Sequence, residues 1–166
     1  MGNIELLKQT GLFSGLSDVD LGKLAAGCVE KDYPLGTIII EENEPAKEIL
    51  FIVKEGEIAV STSAVDPDVL EGSTLLTTFG AGEAFGEVSL IDNNPHSATV
   101  RSISDSILLL LPAKHFYEVV EQDKNIGYVV MRNIATLISC RLRNSNFAMK
   151  HFGYWGKVDN EECIEQ

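Results

Sequence analysis

The sequence predicts a mainly β domain with flanking helices, its short antiparallel strands closing into a sandwich or barrel. Three observations lead there. Short β-branched and apolar runs recur between Thr37 and Leu111, separated by turns rich in Gly, Pro, Asn and Asp. No helical pattern intervenes between most of them, which excludes alternating βα units. From Pro112 onward the apolar spacing changes to that of helices.

In chain order, Leu12-Phe13-Ser14-Gly15-Leu16 forms a hydrophobic entry to a helix. Ser17-Asp18-Val19-Asp20 caps that helix, with acids in its first turn, and it runs to about Cys28. Thr37–Ile40 reads as a strand, closed by the acidic turn Glu41-Glu42-Asn43-Glu44-Pro45. Ile49–Val53 and Glu57–Val60 flank Lys54-Glu55-Gly56, a hairpin whose glycine supplies the turn. A polar loop over residues 64–72 precedes a strand at Ser73–Phe79, and two further strands are expected at Ala98–Ile103 and Ile107–Leu111. Pro112 suits the first turn of a helix through Val120.

A longer helix is expected over 123–149. Met131, Ala135, Ile138, Leu142, Ser145 and Met149 form one heptad-like seam, and Ile126, Val130, Ile134 and Leu137 form a second stripe on another face. One stripe can cover the barrel while the other meets the same helix of a second copy, which predicts a homodimer. The organisation is therefore residues 1–122 as barrel with N-terminal helices, 123–149 as a dimerisation or lid helix, and 150–166 as an acidic tail.

Composition narrows the function. The chain has 166 residues, 45% of them hydrophobic, enough for one domain with a core. Its net charge of −12, from 13 basic and 25 acidic residues, argues against direct nucleic acid binding. Arg132, Arg141, Arg143 and Lys150 could make a local basic patch, but read more simply as a solvated helix face. No run approaches the ~20 apolar residues of a membrane span, and the N-terminus carries no secretory pattern. Cys28, Cys140 and Cys163 form no close pair and read as reduced thiols of a cytoplasmic protein. His96, His115 and His151 show no metal-ligand spacing, so neither a metal site nor a catalytic residue is expected.

Chemistry concentrates in residues 85–100, Phe-Gly-Glu-Val-Ser-Leu-Ile-Asp-Asn-Asn-Pro-His-Ser-Ala-Thr-Val. The amides of the Gly86-Glu87-Val88-Ser89 turn would converge on one concavity suited to an anion. Glu87 is an acceptor for sugar hydroxyls, and Ser97 a donor nearby.

This run resembles the phosphate-binding cassette of the cyclic nucleotide-binding domain family, that of the catabolite activator protein and the protein kinase A regulatory subunits. The family pattern is Phe-Gly-Glu-x-Ala/Ser-Leu, a spacer, then Pro-Arg-Ser/Ala-Ala-Thr-Val. The resemblance implies a jelly-roll barrel (a double-stranded antiparallel β-helix) of about eight strands. It assigns the ligand contacts to Phe85, Gly86, Glu87, Val88, Ser89, His96, Ser97 and Ala98. Glu87 takes the ribose 2′-hydroxyl, Gly86 and Ser89 the backbone roles, and Ser97 the phosphate hydroxyl. Ser145 and Asn146 are weaker matches to residues that close over the base.

His96 stands where the family has arginine. Arginine offers a permanently charged fork of donors, whereas imidazole titrates near pH 6.5. Losing that fork is expected to weaken binding by about one to two orders of magnitude. No cofactor is obligatory, and cAMP or cGMP is the implied ligand.

Transcription factors of this family continue into a helix-turn-helix domain of about 60–70 residues; here only His151–Gln166 follow, acidic in character. The expectation is a non-catalytic sensor that passes a helix movement to a separate effector protein. The alternative is a degenerate cassette serving as a ligand-free dimerisation or interaction module of a Crp/Fnr-like regulatory system. An enzyme on a related barrel is a third reading.

Overall fold

Eight strands among the described residues pair into two antiparallel four-stranded sheets that face each other. The computed structural model describes residues 2–63, 73–92 and 94–150. The loop expected over 64–72 and the tail beyond residue 150 lie outside them. Helix α1 (Asn3–Gln9), a 3₁₀ turn (Gly11–Phe13) and helix α2 (Asp18–Ala25) come first. Strands β1 (Val29–Tyr33), β2 (Ile38–Ile40), β3 (Ile49–Glu55), β4 (Ile58–Ser63), β5 (Ser73–Phe79) and β6 (Ala84–Phe85) follow. After α3 (Glu87–Asp92) come β7 (Thr99–Ser102), β8 (Ser106–Pro112), α4 (Ala113–Gln122) and α5 (Lys124–Lys150). The sheets are ordered β1-β8-β3-β6 and β2-β7-β4-β5, the jelly-roll arrangement the resemblance implies.

Strands β3 and β8 explain the architecture. Leu50 and Ile52, with Leu109 and Leu111, point to a core shared with the N-terminal helices, α4 and α5. Their neighbours Phe51, Val53 and Leu108 point the other way, into a second core between the sheets with Ile40, Ile58, Phe79, Phe85 and Val100. Both faces are buried, so these strands read as unbroken apolar runs. The α2 cap forms as a capping box between Ser17 and Asp20. Gly56 turns the β3–β4 hairpin at φ +91°.

Along α5 the two stripes separate only in part, because Met131 of the seam packs on the same core as the second stripe. Ile126, Val130 and Ile134 are buried and Leu137 packs on the same core. On the seam, Ile138 and Leu142 are 37% and 58% exposed. Asn133 fixes the helix to the 3₁₀ turn, donating to the carbonyls of Leu12 (3.0 Å) and Ser14 (2.9 Å). Cys28 is a free thiol, pushed up to about 12 by burial, whereas Cys140 is disulfide-bonded, which corrects the reading of every cysteine as reduced. Among the described residues no helix is long and apolar enough to cross a membrane.

Candidate functional site

The cassette opens on aromatic packing. Phe85 is buried between Phe51 and Phe79, with ring centroids 5.0 and 5.8 Å away and planes 4° apart. Gly86 follows at φ +86°, where a Cβ would lie 2.7 Å from the Ile49 carbonyl oxygen. Only glycine combines that backbone conformation with so close an approach. The turn delivers Glu87 to the start of α3, and the Leu90 amide closes it by donating to the Gly86 carbonyl (3.2 Å).

Glu87 is 1% exposed, a burial that an ionised carboxylate tolerates only with a partner. The partner is Arg141 of α5, whose guanidinium donates to Glu87 Oε1. The same guanidinium lies 5.4 Å from the Phe79 ring centroid, a cation–π distance. Sequence reasoning placed Arg141 on a solvated face and missed this role. The signal was present: Ile126, Val130, Ile134 and Leu137 continue, one helical step on, to Arg141. Arg132, from the same basic group, sits 6.0 Å from the Tyr128 ring centroid instead.

His96, buried at 6% exposure, faces the loop between β2 and β3. The Lys47 amide donates to its Nε2 (3.2 Å), the His96 amide to the Glu44 carbonyl (3.0 Å), and the Asn43 amide to the His96 carbonyl (2.8 Å). Burial and the Lys47 ammonium hold its pKa below the usual imidazole value, and the Glu44 carboxylate opposes them. Val88 and Ser97 are exposed, and Ala98 is half-buried. Ser89 lies within α3. Ser145 and Asn146 are exposed on α5. Tyr117 of α4 donates to the Leu90 carbonyl (2.5 Å), joining the cassette helix to the helices that follow. Among the described residues no group of His, Cys, Asp and Glu could hold a metal ion.

Residues 30–123 match the protein family described as "Cyclic nucleotide-binding domain". The chain belongs to that family. It is 31% identical over 140 residues to "Glutaminase 1" of Bradyrhizobium diazoefficiens, covering 84% of this chain and 21% of that protein. It is 30% identical over 101 residues to the "CRP-like cAMP-activated global transcriptional regulator" of Mycobacterium tuberculosis, covering 61% and 43%. Among solved structures, the regulatory domain of Toxoplasma gondii PKA with cAMP superposes with a TM-score of 0.64 at 30% identity, covering 71% of this chain and 43% of that one. The chain thus spans less than half the length of each of these relatives. In this cyclic nucleotide-binding domain the cassette motif, the barrel and the long last helix meet at Glu87.

Proposed function

We propose that this domain is a non-catalytic regulatory module that receives a cyclic nucleotide, cAMP or cGMP, or a related small anion in the cassette. The observation that carries the reading is the buried Glu87 carboxylate, held by Arg141 at the start of the cassette helix. A carboxylate has about four lone-pair sites, so Glu87 can accept from ribose hydroxyls without releasing Arg141. Gly86, Val88 and Ser89 supply the backbone around the phosphate, Ser97 a hydroxyl, and Phe85 and Ala98 the adjoining walls. The names of the mycobacterial and Toxoplasma relatives, one cAMP-activated and one solved with cAMP, support the ligand class.

His96 takes the arginine position. As a neutral ring it contributes little to an anion; as imidazolium it becomes a charged donor. An anion beside it favours that protonated form, so binding strengthens as pH falls. The ligand then acts by population shift: contacts differing between two positions of α5 bias the helix, and a separate effector reads it. The exposed Ile138 and Leu142 on α5 favour a homodimer as the form in which this happens. They are also the observation that supports the alternative of a ligand-free dimerisation or interaction module.

Calorimetric titration of cAMP and cGMP at pH 5.5 and 7.5 tests the reading. Binding that is tighter at pH 5.5, and several-fold tighter at pH 7.5 in His96→Arg, is the expected result. Absence of heat at both pH values, in folded wild type and in His96→Arg, would leave the ligand-free module in its place.

A further inference from the structure

Three hydrogen bonds join His96 to backbone groups of the β2–β3 loop described above, and the Glu42 amide of that loop adds a separate link by donating to Thr99 Oγ1 (3.1 Å). The His96 amide and carbonyl bind Glu44 and Asn43, and its ring binds the Lys47 amide. Two residues of the loop are left-handed: Asn43 at φ +67°, which asparagine tolerates, and Glu48 at its far end at φ +48°, which glutamate disfavours. The Lys47 ammonium is itself tied down, donating to the Ile39 carbonyl at 2.5 Å and lying 3.9 Å from the Glu44 carboxylate.

The ring bond fixes a protonation state. Nε2 accepts from an N–H, so it carries no proton, and a neutral ring then has its proton on Nδ1. Adding a proton from solvent to Nε2 sets two N–H groups against each other and breaks the bond. We infer that His96 is a proton-operated latch, holding the Lys47 end of the 41–48 loop on the cassette when neutral and releasing that end when protonated, while the backbone bonds to Asn43 and Glu44 stay in place. Among the described residues, Lys47 and Glu44 of the loop act on the ring by charge, and its own segment Asn94–Ala98 brings no other titratable group. Lys47 and burial favour the closed latch, and Glu44 favours the open one. Opening also lets the left-handed Glu48, next to Lys47, relax.

The latch stands on this geometry alone; its use by a ligand rests on the function proposed above. An anion in the cassette would stabilise the imidazolium, so each binding event would take up a proton and free the Lys47 end of the loop. Ligand arrival would thereby be reported by a loop as well as by α5.

Nuclear magnetic resonance of the full chain between pH 5 and 8 tests both levels. The expected result is that the His96 ring and the Lys47 amide titrate together, with a shared midpoint below 6.5. In His96→Gln, whose amide oxygen keeps an acceptor but cannot titrate, the Lys47 amide should stay still. A Lys47 amide unmoved while the wild-type His96 ring titrates would overturn the latch without any variant, as would a Lys47 titration that persists in folded His96→Gln. Added cAMP should raise the shared midpoint by at least about half a pH unit. A midpoint unchanged by saturating cAMP, with the apo titration intact, overturns the ligand coupling and leaves the latch standing.

Discussion

Arg141 reaches back 54 residues to hold the Glu87 carboxylate, so the last helix and the first cassette residue with a functional carboxylate share one ion pair. The pair is unequal in exposure, with Glu87 at 1% and Arg141 at 32%. Removing the cation would strand a buried carboxylate. Breaking a fully buried pair costs about 3–5 kcal/mol, and the partial exposure of Arg141 lowers the expectation to about 2 kcal/mol. Urea unfolding of Arg141→Gln should show that loss. Adding Glu87→Gln should recover part of it, because the stranded charge is gone. Equal stability of Arg141→Gln and wild type would mean that the ion pair does not hold α5 on the barrel.

Gly86 makes a sharper demand. Gly86→Ala would place a Cβ 2.7 Å from the Ile49 oxygen and 3.3 Å from the Phe51 ring, at a φ of +86°. Backbone strain alone costs on the order of 1–3 kcal/mol. The atoms in the way are a strand carbonyl and a ring already stacked on Phe85, neither free to yield. Thermal unfolding should therefore show a loss of at least about 2 kcal/mol. In the folded fraction α3 would be displaced and Glu87 with it. Retention of both stability and nucleotide binding would contradict this account of the turn.

The exposed seam of α5 predicts an oligomer that one substitution can dissolve. Leu142 is 58% exposed and Tyr128, further up the helix, 65%. Leu142→Glu removes apolar area from the proposed dimer while leaving the buried stripe at Ile126, Val130 and Ile134 untouched. Sedimentation velocity should find wild type as a dimer and the variant as a folded monomer. A wild type that stays monomeric at the highest concentration reached would rule out pairing through α5.

The uneven legibility of this fold has a physical basis. Strands β3 and β8 were plain because burial on both faces demands unbroken apolar runs. Strand β1, Val29-Glu30-Lys31-Asp32-Tyr33, was not: it sits at a sheet edge, buries only Tyr33, and owes its conformation to pairing with β8. Strand β6 spans two residues, too short to carry a period. The cassette was legible since its turn, glycine and carboxylate are contiguous. Arg141 was hidden because a cation on an amphipathic helix has the same local signature whether it meets water or a buried carboxylate. Only the buried stripe, extended past Leu137, pointed inward. The side-chain role of His96 was equally hidden, since its ring accepts from the backbone of a loop residue 49 positions away.

Stability should respond to pH through that same histidine. The folded protein holds the His96 pKa below the ordinary value of 6.5, first through burial and then through Lys47. The unfolded chain therefore binds this proton more readily than the native state does. Stability from this site is fully present above the unfolded pKa. It declines as pH falls below about 6.5 and is gone once the folded ring also protonates. Urea unfolding midpoints should consequently drop between pH 7.5 and pH 5 in wild type. The chain also holds His115 and His151, so the comparison is with His96→Gln, which keeps them and removes only the latch proton. The drop should be smaller in His96→Gln by the contribution of one histidine. Identical slopes in the two proteins would show that folding does not perturb His96, and that the Lys47 bond is too weak to select its neutral form.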